Sequence, residues 1–146
     1  MSAARRRDTK PEMLLRRELH RRGRRFRVVL RVSSSRRRTI DIAFTRSRLA
    51  VFVDGCFWHG CPHHGTLPAT NGEWWAAKLK ANRDRDADTN RLLKEAAWTV
   101  LRIWEHVPAD QAADLVERVL AEIAGEQVAR RGPAASARAA STDRAR

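Results

Sequence analysis

The sequence predicts a single α/β domain in which a mixed β-sheet is flanked by helices, and three observations carry that expectation. Strand-like apolar segments follow one another between residues 26 and 53, the first alternating with period two, segments of helical period lie before and after them, and a strand-like run at Trp98–Ile103 directly follows a helical one. A chain of 146 residues has room for one core. With 42% apolar residues it can fill that core, which excludes global disorder.

The elements follow in order. Residues 1–10 read as a flexible basic arm, 11–124 as the folded domain, and 125–146 as a disordered tail rich in Ala and Arg. A first helix is expected from Pro11 to Arg22, capped by Asp8 or Thr9, with Met13, Leu14, Leu15 and Leu19 as its apolar stripe and Gly23 as its stop. Phe26, Val28, Leu30 and Val32 then form the inner face of a strand, and Thr39–Thr45 and Arg48–Val53 add two more in a meander. The last of these is nearly continuous in apolar residues and so belongs at the centre of the sheet. Gly, Pro, Cys and His are too dense between Gly55 and Gly72 for helix or strand. Short helices are expected at Trp74–Ala81 and Arg85–Ala97. The strand at Trp98–Ile103 can run parallel to an earlier one because a helix precedes it. A final helix, Asp110–Ala124, should stop at Gly125.

Thirty Lys and Arg against seventeen Asp and Glu leave a net charge of +13, and 26 of the thirty are Arg. The excess is concentrated: residues 1–48 carry +13, residues 49–124 carry −3 and residues 125–146 carry +3. A basic end rich in forked guanidinium groups suits a phosphate backbone better than it suits general solubility. On the first helix, Arg16, Arg17, Arg21 and Arg22 fit either phosphate contact or a solvated face. No run of apolar residues is long enough to span a membrane, and the first ten residues lack the apolar stretch of a secretory signal. A cytoplasmic protein is therefore expected.

Cys56 and Cys61, with His63 and His64, are the residue types that zinc takes in a tetrahedron. His106, just past the last strand, is the best distal fourth ligand, with His20 as its rival. The alternative is a set of unligated polar side chains. Asp41 lies inside an apolar strand, where a carboxylate needs a partner, and Asp54 ends the next strand. Either they pair with arginines, or Asp41, Asp54 and Glu12 converge on Mg2+. His59 is available as a general base with a pKa close to working pH. Phe57 and Trp58 in the loop, followed by Trp74 and Trp75, are suited to stacking on or wedging between bases.

The run Val53-Asp-Gly-Cys-Phe-Trp-His-Gly-Cys-Pro-His-His64 resembles the signature of the very-short-patch-repair (Vsr) mismatch endonucleases. Thr9–Leu19, Ile40–Phe44, Pro68-Ala-Thr with Trp74-Trp75, Asn82–Leu93 and Trp98–His106 extend the likeness, in order, over about residues 5–124. The resemblance implies a restriction-endonuclease-like fold with a structural zinc site. It also implies a Mg2+-dependent nick in one strand beside the thymine of a T·G mismatch, the product of 5-methylcytosine deamination. By position, Asp41 matches the metal-binding aspartate, His59 the general base and Glu12 the helix glutamate that assists. Phe57, Trp58 and Trp75 match the intercalating aromatics, and Cys56, Cys61, His63 and His106 the zinc ligands. The sequence departs from well-studied members at Ile40, where proline is common, and at Val53 and Asp54, which replace threonine and histidine. The Val53 carbonyl and Asp54 are then the expected second metal position beside Asp41. Mismatched double-stranded DNA is the implied partner, with mismatch-repair proteins as candidate helpers, acting on a monomer associated with the nucleoid. Two further readings are a related nuclease without T·G preference and a zinc-stabilised DNA-binding module without catalysis.

Overall fold

The computed structural model of the protein describes residues 9–32, 38–56 and 70–144, with side chains as far as Arg130. Phe57, Trp58, His59, Cys61, His63 and His64, and the arm apart from Thr9 and Lys10, lie outside the described residues.

Helix α1 spans Lys10–Arg21, with Pro11 in its first turn, and Gly23 takes a left-handed φ of 81° just past its end. That conformation costs glycine nothing and ends the helix where the sequence places the stop. Strands β1 (Arg27–Arg31), β2 (Thr39–Phe44) and β3 (Leu49–Asp54) form the antiparallel meander. Helix α2 (Gly72–Glu95) then crosses over so that β4 (Thr99–Trp104) runs parallel to β3, in register from Leu49↔Thr99 to Asp54↔Trp104. The sheet order is β1-β2-β3-β4, and helix α3 (Ala109–Arg144) completes the described elements.

The sheet is the middle of three layers. On one side Leu15 and Leu19 of α1 and Ala112, Ala113, Val116, Leu120 and Ile123 of α3 pack on Ile42, Phe44, Leu49, Val51 and Ile103. On the other, Leu93 of α2 packs with Val32, Ile40, Ala43, Ala50 and Phe52. Strand β3 supplies both cores, which explains its unbroken apolar run.

Several expectations are corrected. Met13 and Leu14 are 36% and 41% exposed, so the apolar part of the inward face of α1 is Leu15 and Leu19, beside the buried Glu12. The two short helices are one, because nothing between Ala81 and Arg85 is a glycine or proline that would break it. Helix α3 continues past Gly125, which sits in the helix with open space around it. Gly125 costs about 1 kcal/mol in a helix but cannot end one that alanines sustain. Among the described side chains packing does stop there: Ile123 is the last buried one, and residues 124–130 are exposed.

The β1 alternation also fails. Val28 is 45% exposed, and Val29 takes a φ of 53°, a conformation β-branched residues rarely adopt. Phe26 consequently joins the α1/α3 side while Leu30 joins the α2 side. Strand β2 changes face at the same level, with Ile40 in one core and Ile42 in the other. The residue at that change is Asp41.

Candidate active site

The change of face in β2 positions the first functional side chain. Antiparallel pairing between β2 and β3 runs from Phe44↔Leu49 only to Ile42↔Val51. Beyond it the Asp41 carboxylate takes over from the backbone, its Oδ2 accepting the Val53 N–H at 3.1 Å. A main-chain donor that the ladder no longer serves is thereby satisfied, and a half-buried carboxylate is held against the C-terminal end of β3.

Asp54, the next residue, is buried and paired. Both of its carboxylate oxygens accept from Arg102 Nη1, at 3.0 and 3.2 Å. Arg102 also donates from Nε to Asn90 Oδ1 at 2.9 Å, and its guanidinium lies 4.2 Å from the Phe52 ring centroid. These groups border a hollow of about 220 Å³ lined by Asp54, Asp86, Arg102, Ile103 and Trp104. Glu12, buried in the first turn of α1, accepts from Arg16 Nη2 at 3.2 Å.

The parallel register carries Cys56 and His106 to the same end of the sheet, where Sγ and Nδ1 are 3.1 Å apart. Glu105 secures this junction twice. Its N–H donates to the Asp54 carbonyl at 2.9 Å, and its Oε1 accepts the Cys56 N–H at 3.1 Å. His20, the rival for the distal position, instead stacks on Phe26 with centroids 4.5 Å apart. Among the described residues no group of three metal-ligating side chains forms; Cys61 and His63 lie outside them.

Trp74 and Trp75 open α2 and meet edge to face at 4.7 Å. Trp75 is half-buried, whereas Trp74 is 56% exposed with Lys78 Nζ 5.6 Å from its ring centroid.

Part of the basic excess turns out to be structural. Arg22 donates to Glu18 at 2.8 Å and reaches across to Asp114 at 2.9 Å and Glu117 at 3.4 Å on α3. Arg24 also pairs with Glu117. The hydrogen bonds from Arg21 and Arg22 hold the Glu18 carboxyl down at about 2. Of the four arginines named on the outer face of α1, three are engaged with carboxylates, while Arg17 is exposed, as are Arg25, Arg27 and Arg31 beyond the helix.

Arg102 and Glu105 join the site from β4 and the residue after it, and neither is among the candidates drawn from the sequence. A signal for Arg102 was present, since a charge within Thr-Val-Leu-Arg-Ile-Trp needs a partner for the same reason that one within Ile40-Asp41-Ile42 does.

Comparison with known proteins identifies the family. Residues 1–65 match the family described as DNA mismatch endonuclease Vsr. The chain is 46% identical over 118 residues to the Type II nicking enzyme V.NaeI of Lentzea aerocolonigenes, covering 80% of this chain and 71% of that one. It is 37% identical over 115 residues to the Type II nicking enzyme V.XorIIP of Xanthomonas oryzae, covering 77% and 82%. Against the DNA mismatch endonuclease Vsr of Escherichia coli it is 40% identical over 68 residues, covering 44% and 42%. With a carboxylate anchored at the end of the central strand and relatives matched over most of its length, the chain belongs to the Vsr family and is an endonuclease.

Proposed function

We propose that this endonuclease nicks one strand of duplex DNA beside the thymine of a T·G mismatch left by 5-methylcytosine deamination, and so initiates very short patch repair on a restriction-endonuclease-like fold. The observation that carries the reading is the Asp41 carboxylate, held on the Val53 N–H where β2 and β3 part. Family membership supplies the rest.

The oxygen donors at that point suit Mg2+, a hard cation that keeps several waters. Asp41 and the Val53 carbonyl would hold it, with Asp54 as the neighbouring carboxylate. When bound, it supplies charge neutralisation at the phosphate and the leaving oxygen. His59 accepts the proton of the attacking water, and Glu12 assists from α1. Phe57, Trp58 and Trp75 wedge into the duplex at the mismatch, where unstacking costs least.

A zinc ion would sit two residues beyond Asp54, at Cys56. From ordinary Zn–S and Zn–N bond lengths, the S···N edge of a zinc tetrahedron is about 3.5 Å. Cys56 Sγ and His106 Nδ1, at 3.1 Å, stand close to that separation. Cys61 and His63 complete the proposed set, and metal binding would contribute folding free energy there. The enzyme acts as a monomer in the cytoplasm, on the nucleoid, with mismatch-repair proteins as candidate partners.

The test is a nicking assay with Mg2+ on T·G, A·C and fully paired duplexes of one sequence. Preferential nicking of the T·G strand is expected. The Lentzea and Xanthomonas relatives are named as nicking enzymes with no mention of a mismatch, which favours a second reading, a related nuclease without T·G preference. Equal cutting of the three duplexes would establish that reading instead.

A further inference from the structure

We infer that Arg102 is a positioning residue of this site, and that Asp54, its buried counter-ion, acts through that pair rather than as a ligand of the cation. The inference rests on the reading of Asp41 as the carboxylate that holds the cation.

Asp54 lies at a position where this sequence departs from well-studied members of the family, and its surroundings show what the carboxylate does here. Both oxygens are taken by one Arg102 nitrogen, and the two side chains retain only 10% and 20% of their exposure. Alternation along β3 puts Asp54 on the side of Ala50 and Phe52, facing α2, while Val53 packs toward α1 and α3. Recruiting Asp54 to a cation would break both of its contacts with Arg102 and leave that nearly buried guanidinium to the longer Asp86 contact, at 3.7 Å.

Arg102 is itself committed in several directions. Its Nε holds Asn90 on α2, its Nη2 reaches the Asp86 carbonyl at 3.5 Å, and its plane covers Phe52. One side chain on β4 therefore ties the end of β3 to α2. Asp54 is the residue after Val53, which holds Asp41, and its carbonyl anchors Glu105, which in turn holds Cys56. Helix α2 carries Trp75 in its first turn. The pair thus sets the position of the catalytic carboxylate's support relative to the DNA-facing helix, and lysine could not replace it because a single ammonium cannot serve such a fork.

The test compares Asp54→Asn, Arg102→Met, Arg102→Lys and the Asp54→Asn/Arg102→Met double variant in the full chain. Mg2+ binding is read by calorimetry without DNA, and the single-turnover nicking rate at saturating DNA and Mg2+. Mg2+ affinity should stay within twofold of wild type in all four. The nicking rate should fall at least tenfold in Asp54→Asn and Arg102→Met, the double variant should be within threefold of either single one, and Arg102→Lys should recover only part of the loss. A tenfold loss of Mg2+ affinity in Asp54→Asn that Arg102→Met does not share would make Asp54 a ligand and overturn the inference. Rates within twofold of wild type would overturn it as well. Should Arg102→Met not fold, Asn90→Ala removes only the Nε partner and should slow nicking severalfold; an unchanged rate overturns the inference. Asp41→Asn is the separate control. If it leaves Mg2+ binding intact, the reading of Asp41 is wrong, whereas non-additivity of the Asp54 and Arg102 variants reports on the pair alone.

Discussion

Asp41 has two tasks that substitution can separate. Its Oδ2 accepts the Val53 N–H at 3.1 Å where the β2–β3 ladder stops, and the same carboxylate is the proposed anchor of the catalytic cation. In Asp41→Ala the Val53 N–H loses its acceptor, and a part-buried donor left unsatisfied costs about 1–3 kcal/mol. In a domain of this size each kcal/mol is roughly 2–4 °C of Tm, so a fall of about 2–12 °C is expected. Asp41→Asn keeps a carbonyl oxygen at the same place, and its cost should stay under about 1 kcal/mol, or roughly 4 °C. Activity should not follow that ranking. Both variants lose the anionic ligand, and a transition-state contribution of several kcal/mol corresponds to a drop of about a thousandfold in nicking rate. Thermal melts of the three proteins, with single-turnover nicking of a T·G duplex, measure both quantities. Nicking by Asp41→Asn within tenfold of wild type would refute the catalytic assignment, and equal melting temperatures for all three would refute the supporting role.

The other expectations concern separate parts of the molecule. Metal analysis should find one zinc per chain, and Cys56→Ser or His106→Ala should release it and lower Tm; a metal-free native protein would remove the zinc assignment. The Glu18 carboxyl, held at about 2 by Arg21 and Arg22, lies below its ordinary value of 4.5. Its contribution is therefore complete above that ordinary value and is lost as pH falls through about 2. The Tm advantage of wild type over Glu18→Gln should shrink across that interval, and a gap that does not change with pH would show that the carboxylate charge plays no part. Trp75→Ala should weaken binding to a T·G duplex by about 1–3 kcal/mol, roughly five- to 150-fold. An equal loss on paired DNA, read by fluorescence anisotropy, would mean that Trp75 does not sense the mismatch.

Much of this was legible in the residues because it follows from local periodicity. Strands β2, β3 and β4 and the parallel return came from alternation and from the helix between β3 and β4. His106 stood out by its place just past the last strand, and the parallel register brings it to Cys56. Asp41 was conspicuous as a charge in an apolar strand. What escaped the sequence depends on tertiary packing or on a single dihedral. The change of face in β1 turns on the φ of Val29, which no residue type announces. The continuity of α2 through Asn82-Arg83-Asp84 was hidden because polar residues on an outward turn resemble a loop. Arg22 read as either a phosphate contact or a solvated charge until α3 supplied Asp114 and Glu117 from more than ninety positions away.

The parallel pairing of β3 with β4 has a kinetic consequence. Each rung joins residues fifty positions apart, from Leu49↔Thr99 to Asp54↔Trp104, so closing the ladder costs the loop entropy of the whole crossover before any rung repays it. The Asp54–Arg102 pair and the Cys56–His106 contact both span that closure, whereas the Asp41–Val53 bond needs only the local hairpin. The meander can therefore form early with its carboxylate already in place. The Asp54–Arg102 and Cys56–His106 contacts need β4 alongside β3, so a chain with only the meander in place lacks both.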